Sequence, residues 1–195
     1  EMHFTQHKEW KRATPSAYKA MVPLVSILQA TRSNQWSTPK PFRDFRSPLL
    51  IASDASSHSL GYVVYSKNRG NQEWNMIKSA SQCREDRGDH IDVAETQAAS
   101  WALKECSRTQ AFAEADGILL AIDNKASARS ILRGSSRSQP INTVVDGMIE
   151  LLLERFSPDQ VGIVDVATKL NVADVLTMDG TMGGSDASLA GRPFL

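Results

Sequence analysis

Four carboxylates are placed where they could do chemistry together. Asp54 closes the apolar run LLIAS, and Glu95 lies near the start of a long Ala-rich segment. Asp123 closes the run ILLAI, and Asp174 sits inside LNVADVLT. An acid directly after a buried strand is aimed by rigid backbone and still reaches solvent. In open α/β sheets, ligands bind beyond the carboxyl ends of the strands. Four acids converging on such an edge repel one another unless a divalent cation lies between them. That is the arrangement two Mg²⁺ ions need for phosphoryl chemistry: a few carboxylates, with phosphate oxygens and water completing the coordination. Taken singly, each acid has a plainer reading. Asp54 suits a turn, Glu95 a helix N-terminus, Asp123-Asn124 a helix cap, and Asp174 a helix surface. Only the four acids together, each at the right element, point to a metal site.

The elements that must position these acids follow from the hydropathy pattern. LLIASDAS predicts a strand, LGYVVYSK a second and EWNMIKSAS a third, an edge candidate. After the loop QCREDRGDH, a long helix is expected from about Ile91 to Arg108. ADGILLAIDN predicts a fourth strand, apolar throughout and so buried on both faces. KASARSILRG predicts a helix with Gly134 as its C-cap. A further helix starts at Pro140 and stops at Ser157-Pro158; QVGIVDVA is a fifth strand and LNVADVLTM a short final helix. Three leading strands with short connections imply an antiparallel meander, and the helix-separated later strands imply parallel crossovers. The expected class is α/β: a five-stranded mixed sheet with helices on both faces.

The 195 residues, 41% apolar and 23% charged, suit one ordinary domain plus an appendage. No run approaches the roughly 20 apolar residues of a membrane helix, and EMHFTQHKEWKR lacks a signal-peptide core. Cys83 and Cys106 form no disulfide framework, and no Cys/His cluster has zinc spacing. An intracellular setting, cytoplasmic or nuclear, is expected. The chain opens on Glu1, and a piece of a longer protein is expected. Its zero net charge divides into +5 over residues 1–47 and −5 over the rest. A basic arm on an acidic body fits a nucleic-acid binder whose body gathers carboxylates for metal; an ordinary solvated basic segment is the alternative. Three parts are expected. Residues 1–47 hold a helix from Ser16 to about Thr31, interrupted by Pro23, and then a proline-rich connector. Residues 48–178 form the domain, and residues 179–195 a flexible Gly/Ser-rich tail.

With these pieces in order, residues 48–178 resemble the RNase H domain of retroelement reverse transcriptases. The resemblance is carried by LLIASDASSHSLGYVVYS, the AET opening of the long helix, ILLAIDNKASARSIL and LNVADVLT. The last is close to the N-x-A-D-x-x-S signature of retrotransposon RNase H domains. The IDN-x-x-A segment, and the lack of a basic extension between helices, look more like the hepadnaviral and DIRS-like branch, which includes VIPER elements, than like cellular RNase H; LTR-retrotransposon domains are also similar. The resemblance implies that Asp54 bridges two metals, that Glu95 and Asp123 hold one of them, and that Asp174 holds the other with the attacking water. The ions would be two Mg²⁺ about 4 Å apart, with Mn²⁺ as a substitute. The implied reaction is hydrolysis of the RNA strand of an RNA–DNA hybrid, beside a covalently linked or adjacent reverse transcriptase domain and away from membrane. Asp92, one helical turn before Glu95, competes for its role; Ala94-Glu95 fits the family motif better. Thr177-Met178 replaces the usual Ser-Arg, and no histidine stands shortly before Asp174.

Lys125 lies beside Asp123, and Arg129 and Arg133 share a helix face, with Arg137 four residues on. They could track the DNA strand, since hybrid recognition rests on phosphate contacts and shape, or form a solvated face. Trp101 is expected in the core. Two functions are carried forward: a metal-dependent endonuclease, and a catalytically idle RNase H-like module that binds nucleic acid or protein within a larger assembly.

Overall fold

The computed structural model describes residues 45–67, 73–84 and 89–177, all within the second of the chain's two units, Pro39–Leu195. The expected helix after Ser16, most of the connector and the tail at 179–195 lie outside the described residues.

Five strands form one mixed sheet: β1 (Pro48–Ala55), β2 (Ser59–Lys67), β3 (Trp74–Cys83), β4 (Gly117–Ile122) and β5 (Val161–Asp165), in the order β3-β2-β1-β4-β5. β1–β2 and β2–β3 pair antiparallel, and β4 lies parallel to both β1 and β5. The meander and the crossovers are thus as the pattern requires. Asp54 faces Gly61 across the β1–β2 ladder, and Ser53 pairs with Ile122 on β4. The ends of the two central strands therefore lie side by side.

Strand alternation separates two cores. Leu49, Ile51, Tyr62, Val64, Ile118 and Leu120 face one side. There they meet the apolar stripes of α1 (Ile91–Ser107), α2 (Gln110–Glu114), α3 (Lys125–Arg133) and α4 (Gln139–Leu153). Leu50, Ala52, Val63, Tyr65 and Ala121 face the other side, where Ala173 and Leu176 pack on them. Burying each large side chain of this kind contributes about 1.5–3 kcal/mol. Among the described residues, helical elements thus lie against both faces: four α-helices on one, and the 3₁₀ turn Asp174–Leu176 on the other.

Two local expectations change. The short final helix expected over LNVADVLTM is a single 3₁₀ turn, Asp174–Leu176, and a second 3₁₀ turn, Thr168–Leu170, comes just before it. Asn171 separates them, with its amide committed to Ser53 O (2.9 Å) and its Oδ1 to Ala173 N (3.2 Å). A side chain that bonds local backbone in this way competes with a helix. The short helix α2 is additional to the expected elements; Thr109 caps it, accepting from Phe112 N. Gly134 does end α3, in the left-handed conformation (φ 67°).

Candidate functional site

β1 and β4 deliver Asp54 and Asp123 to one end of the sheet, and α1 adds Glu95. Ala94, Ala98 and Ala102 are fully buried, and their small side chains let the helix lie close against β1 and β2. Ala94 and Ala98 pack on Ala55 and Leu60, which places Glu95 beside the end of β1. The starts of α1 and α3 are tied together. Asn124 caps α3 by accepting from Ala126 N and Ser127 N, and its Nδ2 donates to Asp92 Oδ1 (2.9 Å). Ser127 Oγ donates to Asp92 O (2.9 Å). Asp123, one residue before the cap, is fixed relative to Glu95 by these bonds.

One oxygen from each of Asp54, Glu95 and Asp123 lies within 4.8 Å of the others. Asp174, half-buried at the start of its 3₁₀ turn, lies outside this group of three but near it: its charge raises the pKa of Asp54, and that of Asp123 raises its own. Asp92 is also outside the group, with its carboxylate engaged by Asn124 and by His90 Nδ1 at 3.3 Å. His90 serves as the N-cap of α1.

The electrostatics are those of crowded buried carboxylates. Burial, above all, pushes Glu95 up to about 9, with the charges of Asp54 and Asp123 adding to the rise and the Ala55 amide opposing it. Asp54 is pushed up to about 6, again chiefly by burial; the Thr177 hydroxyl opposes the rise, and Asp123 and Asp174 add to it. Asp174 is raised by burial and then by Asp123. Among the described residues, Glu95 Oε2 is buried without a hydrogen-bond partner. A buried carboxylate oxygen left unpaired is costly, and a hard divalent cation, which takes oxygen ligands, would satisfy it. The donor set and the orphaned oxygen therefore fit a divalent metal.

Sequence reasoning did not foresee the clamp over Asp54. Thr177 Oγ1 donates to Asp54 Oδ2, Ser59 Oγ donates to Thr177 O, and Asn171 anchors the segment to Ser53. Gly61 makes room for it: a Cβ there would meet Leu176 Cβ at 2.9 Å and Thr177 Cγ2 at 3.0 Å. The signal was the LNVADVLT motif itself, whose Asn and Thr hold the turn while its Asp faces the site. Gly61→Ala should therefore cost about 1–3 kcal/mol by overpacking and shift the Asp174 turn. Gly147→Ala on α4, where a Cβ meets nothing within 4 Å, should stabilise by about 0.5–1 kcal/mol. Denaturant unfolding of both variants measures the contrast.

Lys125, Arg129 and Arg133 are all exposed on α3, with Lys125 Nζ 3.9 Å from Asp165 Oδ2. Trp101 is partly core, edge-on to Tyr62 at 4.7 Å. It also lines a cleft of about 420 Å³ with Gln82, Gln97 and Lys104.

The fold is that of the RNase H-like class. Among solved structures, the N-terminal RNase H domain of a Mycobacterium tuberculosis protein is similar to this chain at 15% identity and a TM-score of 0.50; the match covers 67% of this chain and 91% of that one. An RNase H1 isolated from compost by metagenomics matches with the same figures. The foamy viral protease-reverse transcriptase, solved with an RNA/DNA hybrid, matches over 73% of this chain and 21% of its own length, at 15% identity and a TM-score of 0.50. No family model matches the chain, and no curated protein matches it in sequence.

Proposed function

We propose that this chain is a metal-dependent endoribonuclease that hydrolyses the RNA strand of RNA–DNA hybrids. The observation that carries the reading is the group of buried Asp54 and Glu95 with half-buried Asp123, and its orphaned Glu95 oxygen, at the strand ends of an RNase H-like sheet. Asp54, Glu95 and Asp123 would hold one divalent cation, and Asp54 with Asp174 a second. Bound Mg²⁺, or Mn²⁺ in its place, supplies an activated water and stabilises charge on the phosphate and leaving oxygen. The chain's own part is to fix and desolvate the carboxylates. Their crowding disfavours full ionisation without a cation, so the site is built to be neutralised by one. Exposed Lys125, Arg129 and Arg133 on α3, the helix that follows Asp123, suit the hybrid's phosphates.

The setting we infer is a retroelement reverse transcriptase with its polymerase domain adjacent, in the cytoplasm or nucleus. The hepadnaviral and DIRS-like pattern of the IDN-x-x-A segment supports this. Among the described residues, no helix is long and apolar enough to cross a membrane.

Incubating a labelled hybrid with the protein, with and without Mg²⁺, tests the reading. Cleavage of the RNA strand alone, abolished by chelation, is expected. Absence of cleavage in both Mg²⁺ and Mn²⁺ would leave an idle binding module. The double charge reversal Arg129→Glu, Arg133→Glu should weaken hybrid binding. It should also flatten the slope of log K against log salt by about 1.5, since each lost phosphate contact removes about 0.7–0.9. An unchanged slope makes α3 an ordinary solvated face.

A further inference from the structure

We propose that Thr177 is a positioning residue for the candidate metal site, its hydroxyl setting which face of the Asp54 carboxylate is presented to cation. This rests on the metal-dependent reading above and assigns to Thr177 a task in it.

Thr177 is buried and lies 123 residues from Asp54 in the chain. Its Oγ1 has two acceptors within reach, Asp54 Oδ2 and Asp174 O (3.0 Å). A hydroxyl carries one proton. The Asp174 carbonyl already accepts from Thr177 N at 3.1 Å, and an ionised carboxylate is the stronger acceptor. The proton therefore goes to Asp54 Oδ2. That bond fixes the carboxylate's rotation, and with it the placement of the Asp54 oxygen that joins Glu95 and Asp123.

The methyl group has a separate task. Thr177 Cγ2 lies 3.0 Å from the point where a Cβ on Gly61 would stand, so it fills the space that Gly61 leaves open opposite Asp54. Ser59 Oγ, donating to Thr177 O at 3.2 Å, holds the backbone from below. Hydroxyl and methyl can thus be removed one at a time. Thr177→Val keeps the packing and deletes the bond; Thr177→Ser keeps the bond and deletes the packing.

The test is calorimetric titration of Mn²⁺ into the free protein without hybrid, alongside thermal unfolding of the apo forms. Loss of a bond that orients a metal ligand costs about 10–100-fold in metal affinity. Thr177→Val should therefore bind Mn²⁺ at least about tenfold more weakly. Thr177→Ser should stay within about threefold of wild type, even where its melting temperature falls. In cleavage assays the Val variant should need more metal for half-maximal rate and regain rate as metal is raised, with KM for hybrid unchanged. Should the Val variant not fold, Thr177→Ala replaces it with the same expectation. Wild-type Mn²⁺ affinity in the hydroxyl-free variant, or equal losses in the Ser and Val variants, would overturn the role. A wild-type protein with no Mn²⁺ affinity overturns the metal reading itself and this role with it.

Discussion

Asp54→Asn should remove hybrid cleavage and leave the fold standing. Asparagine preserves the shape and can still accept from Thr177 Oγ1. It removes the charge that two cations would share, at the point where Glu95 and Asp123 converge. A loss of at least about 10³-fold in turnover, or about 4 kcal/mol of transition-state stabilisation, is the expected size. A second effect has the opposite sign. Asp54 contributes to the elevation of Glu95 and is itself a buried, crowded charge. Removing it relieves repulsion, so the chelated variant should melt higher than chelated wild type at pH 8. Inactivity with raised apo stability separates a role in chemistry from simple damage. Turnover close to wild type rejects Asp54 as a shared ligand. A lowered apo melting point rejects the electrostatic account.

Different parts of this geometry were legible in the sequence for different reasons. β4 was legible because ILLAI is an unbroken apolar run between polar flanks, the pattern of a strand covered on both faces. α1 was legible from Ala94, Ala98 and Ala102, spaced to make one face, with Leu103 and Cys106 continuing it. The last segment is helical over a shorter stretch than the spacing of Leu170, Ala173 and Leu176 suggests. Asn171 overrides that spacing by bonding Ser53 and Ala173, and a periodicity argument has no view of a bond across 118 residues. The five-residue α2 is too short to show a period at all, and only Thr109 marks its start. The acids could be named because each stands at the end of a recognisable element. Thr177 and Gly61 could not: Gly61 reads as a strand glycine and Thr177 as a variant of a motif position. Their meaning appears once register sets Gly61 opposite Asp54 and the turn folds over both.

Without divalent metal, the protein should lose stability as pH rises from about 5 to 9, the reverse of a protein held by ionised salt bridges. In the folded state Asp54 is pushed up to about 6 and Glu95 to about 9, against about 4 for carboxyls in an unfolded chain. Between those limits the folded state binds more protons than the unfolded state, so the free energy of unfolding falls with pH. The stabilising contribution is complete below about pH 4, and is lost as pH passes through 6 and on towards 9. Asp174, raised by burial and by Asp123, adds to the same loss. Tyr62 and Cys106 are raised to about 12 by burial, so they steepen the fall only at its alkaline end, where the unfolded groups ionise. Glu105, lowered by its bond to Lys78, acts below the window. The loss should be on the order of a few kcal/mol, or roughly 10 °C in melting temperature for a domain of this size. Divalent metal reverses the trend because it binds only the ionised carboxylates. The stabilisation by Mg²⁺ follows RT ln(1 + [Mg²⁺]/Kd), and so grows as pH rises and proton competition fades. Melting curves at pH 5, 7 and 9, each with chelator and with excess Mg²⁺, should diverge steadily towards high pH. Chelated protein whose melting point is flat or rising over this range would mean that Glu95 and Asp54 ionise freely in the fold. Parallel curves at every pH would mean that the carboxylate group holds no cation.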